Sequence, residues 1–262
     1  MIKQTISALA LVCAVLCPCL TSAARADVLA VRADPWPPFN DEPGSALPGY
    51  AVEVMKAVFE PLGHTIDYQK QPWSRALADI ASGKNDAIIG AASEECPTCV
   101  LPKESIAMID NYFYVKKGNP WKYQNLDSLK SVKIGTVDEY DYGVEEFNKY
   151  VEANKTTPAV QPMTGDDALQ KNLQKLLAGR IDATVECKSV VAWTLKKMQV
   201  AEDSLAEAGM LGEPTEAFIA FAPGKPNSQK YADAFDQGMQ KLRASGELQK
   251  ILDKYGVEDW KK

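Results

Sequence analysis

The sequence predicts an α/β protein made of two similar lobes, and three observations predict it. One phrase is written twice: "LADIASGKNDAIIGAA", from Leu77 to Ala92, returns as "LQKLLAGRIDATVECK", from Leu173 to Lys188. Each copy opens with apolar residues at helical spacing, Leu77, Ile80 and Ala81 in one and Leu169, Leu173, Leu176 and Leu177 in the other. Each then reaches a glycine, Gly83 or Gly179, where a helix ends in a left-handed residue, and enters a strand three residues later through Asp86 or Asp182. A further strand-like run lies upstream of each copy, "VLAVRA" at 28–33 and "SVKIGTV" at 131–137. A helix stopped by glycine before a strand is a common unit, but the identical spacing from Gly to Asp-Ala argues against coincidence.

The chain begins with a segment that is set aside. Lys3 and the apolar run "ISALALVCAVLCPCL" form the charged and hydrophobic parts of a signal peptide, and "ARA" at 24–26 supplies small residues for cleavage after Ala26. Cys13, Cys17 and Cys19 follow Val12, Leu16 and Pro18, which disfavours a lipid anchor. Lys3 and Arg25 leave with this segment, so 29 basic residues become 27 against 35 acidic ones, a formal charge of −8. An acidic, exported chain is a poor partner for nucleic acid. Residues 27–262 carry no apolar run long enough to enter a membrane.

Three cysteines remain. Cys96 and Cys99, in "ECPTCV", are expected to meet as a disulfide, with a redox centre or half a zinc site as the sharper alternatives. A zinc site needs about four ligands, and the chain has one histidine, His64, and no second cysteine pair. No metal and no cofactor are expected. Breaker-rich stretches at 114–120, "YVKKGNP", and 212–217, "GEPTEA", mark the lobe boundaries. From Tyr231 to Tyr255 the chain is amphipathic and helical, split at Gly246, and periodicity leaves open which lobe this tail completes.

"WPPF" at 36–39, "GYAVEVMKAVFEPLG" at 49–63, "YFYVKKG" at 112–118, "VKIGTVDEY" at 132–140 and "AGRIDA" at 178–183 follow one another in an informative order. In that order the chain resembles type II periplasmic substrate-binding proteins, and among them the family 3 solute-binding proteins of polar amino-acid ABC transporters. The resemblance implies a ligand cleft between the lobes and two hinge crossovers. It assigns 27–115 plus 216–262 to the first lobe and 116–215 to the second. It further implies a monomeric periplasmic protein that closes on a small polar ligand and delivers it to the membrane permease of an ABC transporter.

Open α/β lobes bind ligands beyond the carboxyl ends of their strands, which selects candidates. Trp36 and Phe39 follow the first strand, Trp36 standing where the family stacks an aromatic ring on its ligand; packing between prolines is the plainer reading. Trp73 and Arg75 lie in the first turn of a helix, where a cation is unfavourable unless a ligand carboxylate, a surface ion pair or solvent meets it. Ser93 fits the serine that the family places after "AIIGAA", and Glu94 follows it. In the second lobe Thr136, Val137 and Asp138 fall at an expected helix start that offers backbone amides, and Tyr140 or Tyr142 is placed to close over the site.

Two family anchors are missing. No arginine stands in "SEECPTCVLPKES" to clasp a carboxylate, and Cys187 occupies the position of the aspartate that pairs with a ligand ammonium. Strand alternation turns Glu186 and Lys188 to the other side. The principal expectation is therefore a binding protein with a modified pose and no catalytic residues. An alternative is an enzyme resembling cyclohexadienyl dehydratase, with Glu94 and Arg75 or Lys103 as acid/base and clamp. Another is an accessory protein with a vestigial cleft. A sensor fused to a kinase is not expected from a chain that stops at Lys262.

Overall fold

The repeated phrase folds the same way twice. A computed structural model describes residues 26–138 and 140–261, so the expected leader lies outside the described residues except for Ala26. The first unit runs β1 (Val28–Ala33), α1 (Tyr50–Phe59), β2 (Thr65–Lys70), α2 (Trp73–Ala81) and β3 (Ala87–Ala91). The second runs β6 (Ile134–Val137), α3 (Glu145–Asn154), β7 (Val160–Met163), α4 (Ala168–Leu177) and β8 (Ala183–Cys187). Both place their strands in the same parallel order, β2-β1-β3 and β7-β6-β8.

The shared letters have a shared cause. Gly83 and Gly179 stop α2 and α4 at φ 72° and 68°, a conformation costly for any residue with a Cβ. Asp86 then accepts the Ala30 amide at 2.8 Å, and Asp182 accepts the Lys133 amide at 2.8 Å. The aspartate amides return the bond to the carbonyls of the same two residues. Each aspartate thus pins the neighbouring parallel strand in register before the ladder begins.

Each sheet is completed by strands running the other way. The first has the order β2-β1-β3-β10-β4, with β4 (Ala107–Ile109) and β10 (Thr215–Phe221); the second is β7-β6-β8-β5-β9, with β5 (Asn111–Lys116) and β9 (Leu205–Met210). Both sheets are covered on two faces, as mainly parallel sheets must be. Leu29, Val31, Ile89 and Phe221 face α1 and the tail helices α6 (Ser228–Ser245) and α7 (Glu247–Tyr255), while Ile88 and Ala220 face Ala76 and Ile80 of α2. In the second sheet Phe113, Val115 and Val185 meet Phe147 of α3; Tyr114 meets Leu173 and Leu176 of α4 and Val191 of α5 (Lys188–Lys197). Burying each large apolar side chain contributes about 1.5–3 kcal/mol. The tail therefore packs on the first lobe.

The first crossing between the sheets lies at Asp110. β4 belongs to the first sheet and β5 to the second, with Asp110 alone between them, so the chain crosses five residues before 115/116. No breaker is needed there, because one extended segment serves both sheets. "YVKKGNP" instead marks the end of β5, whose Phe113 and Val115 are fully buried in the second core. The return passes through 211–214, beside the expected 215/216. The expected helix start at 138 is also displaced: α3 begins at Glu145, after a loop that turns at Gly143 with φ 74°. No helix among the described residues is long and apolar enough to cross a membrane.

Candidate functional site

The carboxyl ends of the parallel strands of the two sheets face one another: Asp34, after β1, is in electrostatic range of Asp166, after β7, and of Tyr140, after β6. Three observations place the lobes in contact. Lys197 of α5 pairs with Asp41 at 2.7 Å, Trp193 lies 5.5 Å from Tyr255 of α7, and Cys187, Val190 and Trp193 pack into the first lobe's core.

Beyond β1 the chain makes a tight loop in which Trp36 O accepts the amides of Phe39 and Asn40. Asn40 is fully buried and donates to the Asp34 carbonyl at 2.5 Å and to Tyr68 Oη at 3.1 Å, which fixes the loop's base. Trp36 stacks on Phe39 with centroids 4.0 Å apart, and its other ring edge lies over Gly90, where a Cβ would come within 3.3 Å. Trp36 is half-buried and its indole N–H has no partner. Phe39, expected at the ligand, is 2% exposed and serves as the floor beneath Trp36.

Trp73 donates its indole N–H to Glu95 at 3.0 Å, and Glu95 also accepts the Ala92 amide at 2.9 Å. Glu95, not Glu94, is therefore the carboxylate directed at this wall. Ser93 and Glu94 are exposed and bond to each other at 2.8 Å. Cys96 and Cys99 form a disulfide at the base of this loop, and Cys96 is buried against the α2 face of the sheet. Arg75 is 65% exposed and turns to Asp79, one helical turn on, at 3.6 Å. That ion pair answers the cation left unexplained at the helix start.

In the second lobe the expected free amides are occupied. Val137 N–H donates to Tyr142 Oη at 2.8 Å and Asp138 N–H to the Met163 carbonyl at 2.9 Å. Thr136 is fully buried, and its hydroxyl has no partner. Tyr140 lies edge-on to Tyr142 at 5.9 Å. Burial, then Glu186 of its own lobe, then Asp34 of the other, push the Tyr140 hydroxyl well above its ordinary range. Its hydroxyl is thus in electrostatic range of a carboxylate from each lobe.

Cys187 is buried and ends β8. Its thiol donates to Asp110 at 3.4 Å and lies 3.4 Å from Ser189 Oγ, and burial pushes it up to about 12. It is a structural thiol that ties the strand end to the crossover. Glu186 is 3% exposed, accepts among the described residues only the Cys187 amide at 2.8 Å, and is pushed up by burial to about 7. Asp34, raised to about 6 by burial and then by Glu95 and Asp166, faces both lobes' acids. The sequence reading named none of Asp34, Glu95 and Asp166, and turned Glu186 aside by strand alternation. Only the position of Asp34 directly after a strand could have signalled one of them.

The model for "Bacterial extracellular solute-binding proteins, family 3" matches residues 28–258. The chain belongs to that family. A probable amino-acid-binding protein of Bacillus subtilis, YxeM, is 26% identical over 228 residues, covering 85% of this chain and 81% of the relative. The arginine-binding extracellular protein ArtP of the same organism is 22% identical and covers 87% and 85% of the two chains. An ancestral arginine-binding protein bound to arginine superposes with a TM-score of 0.63 at 21% identity, over 87% of this chain and 97% of that one. A histidine kinase sensor domain similar to periplasmic binding proteins reaches 0.65 at 16%, over 89% and 97%. The fold is the periplasmic binding protein-like fold of these structures.

Proposed function

We propose that this family member is a periplasmic solute-binding protein that captures a small polar organic ligand between its lobes and delivers it to the permease of an ABC transporter. The observation that supports this reading is the pair of like-built lobes joined by two crossovers, with Asp34 beyond β1 of one lobe in electrostatic range of Tyr140 and Asp166 of the other. Rotation at Asp110 and at 211–214 opens and shuts the cleft between them without disturbing either sheet. A ligand touching both lobes favours closure by its differential affinity, and one touching a single lobe shifts nothing. In this reading the leader is cleaved after Ala26 and the mature protein works as a monomer, with lobe boundaries at Asp110 and 211–214.

The dehydratase-like alternative asked for a raised carboxyl group and a cationic clamp in the cleft. Glu186 and Asp34 meet the first requirement, but the neighbouring cations are each held by a carboxylate of the protein's own. Binding without chemistry is the reading supported best.

The test is a thermal-shift screen of residues 27–262, refolded to strip carried-over ligand, against amino acids, amines, carboxylates and aromatic acids. A ligand at a hundred times its Kd stabilises by about 2.7 kcal/mol. A hit recovered unchanged supports capture, and a hit that is converted moves the assignment to an enzyme. No shift with any compound overturns the proposal.

A further inference from the structure

We propose that the ligand is an organic cation without a carboxylate: an ammonium or guanidinium compound. This deepens the solute-binding reading and rests on it. Four carboxylates lie just beyond or near the strand ends of the two lobes, Glu186 buried, Asp34 half-buried, and Glu95 and Asp166 exposed at the rim. Asp34 follows β1, Glu95 lies in the loop after β3, Asp166 in the loop after β7, and Glu186 near the end of β8. Asp34 feels both Glu95 and Asp166, and Tyr140 feels Glu186 of its own lobe and Asp34 of the other.

Among the described residues no cation pairs with them. Lys70, which feels Asp166, pairs with Glu42 at 2.6 Å, and Lys188 pairs with Glu207 at 2.9 Å. Arg75 pairs with Asp79 at 3.6 Å, and Lys197 with Asp41 at 2.7 Å. Among the described residues, Asp34, Glu95, Asp166 and Glu186 form no salt bridge.

Glu186 is the decisive residue. It is 97% removed from solvent, yet among the described residues its only hydrogen bond comes from the next amide in the chain. A buried carboxylate without a cation is costly, and a cation delivered by the ligand removes that cost. The walls suit the same chemistry. Trp36 is held flat by Phe39, and Trp73 is oriented by Glu95, so aromatic faces and carboxylates occur together, the pairing that receives ammonium and guanidinium groups. A ligand carboxylate would meet like charge from both lobes, and such juxtaposition discriminates strongly.

The experiment uses matched pairs on the refolded mature protein, by titration calorimetry: agmatine against arginine, putrescine against ornithine, choline against glycine betaine. The member lacking a carboxylate is expected to bind at least tenfold tighter in any pair that binds. Glu186→Gln and, independently, Asp34→Asn are each expected to weaken that cation at least tenfold, with thermal unfolding confirming a folded variant. A carboxylated partner that binds equally or tighter overturns the inference. So does a wider screen whose hits are all neutral or anionic, and in both cases solute binding itself stands. Silence from every compound removes both readings together.

Discussion

Lys197 of the second lobe places its ammonium 2.7 Å from a carboxylate oxygen of Asp41 in the first, so a single ion pair clasps the lobes at the side of the cleft. The lysine is 56% exposed, which makes the pair a weak stabiliser of the fold, about 0–1 kcal/mol. Its effect falls instead on the equilibrium between open and closed forms, where fractions of a kcal/mol matter. Lys197→Met is expected to leave the thermal midpoint within about 2 °C and to enlarge the radius of gyration measured by small-angle scattering. Ligand binding should weaken about two- to fivefold, an effect that high salt reproduces in the unmodified protein. A variant with unchanged dimensions and affinity would show that the pair does not hold the lobes together.

Asp86 and Asp182 do the same work in the two lobes, but not at the same cost. Each fixes a strand amide at 2.8 Å, and Asp86 alone of the two also pairs with Lys225, at 2.5 Å. Replacing either with alanine leaves a strand-end amide without its acceptor, a loss of about 1–3 kcal/mol. Asp86→Ala is expected to cost more than Asp182→Ala in urea unfolding, and Lys225→Met should recover part of the difference between them. Equal losses would remove the ion pair from the account.

These aspartates also show why so much of the fold was legible. Helix, glycine, aspartate and strand are local decisions, and their repetition at fixed spacing revealed two lobes of one plan. Sites between lobes are not local. Glu94 was chosen beside Ser93, yet in the turn closed by Cys96 and Cys99 it is Glu95 that bonds Trp73, while Glu94 bonds Ser93. Phe39 read as part of a recognition motif and became the support for Trp36. Glu186 was turned away by strand alternation, but alternation describes only the faces of a sheet, and Glu186 lies near its end, buried and in range of Tyr140. The crossing at Asp110 escaped notice because an extended chain passing between sheets carries no turn signal.

The disulfide links residues only three apart, so little chain entropy is at stake: about 2 kcal/mol by loop-closure reasoning. Its larger effect is on the loop that holds Glu95. The Cys96→Ser, Cys99→Ser double variant is expected to unfold a few degrees lower and to bind the ligand more weakly than that loss of stability explains. Hydrogen exchange should locate the added mobility at 92–99. Protection unchanged in that segment would show that the apolar packing of Cys96, not the covalent link, shapes the loop.

Glu186 sets the sign of the pH dependence. Burial raises its carboxyl from an ordinary 4.5 to about 7, and it raises Asp34 from 3.8 to about 6. A folded state that holds protons more tightly than the unfolded chain loses stability as pH rises between the two values. The native protein without ligand is therefore expected to become less stable from about pH 5 to pH 8, by on the order of 2–3 kcal/mol from Glu186 alone. Asp67, held below its usual range chiefly by its bond to Arg32, acts in the opposite direction, but its contribution is lost only as pH falls below the ordinary carboxylate range. Glu186→Gln keeps an oxygen for the Cys187 amide and removes the charge. Its urea midpoint should rise at pH 8, stay near the unmodified value at pH 5, and leave a flatter profile between them. The same substitution is expected to abolish most cation binding while stabilising the empty protein, so a loss of affinity cannot be ascribed to unfolding. An unmodified protein more stable at pH 8 than at pH 5 would show that Glu186 is compensated in the empty cleft, and would remove the electrostatic reason for a cationic ligand.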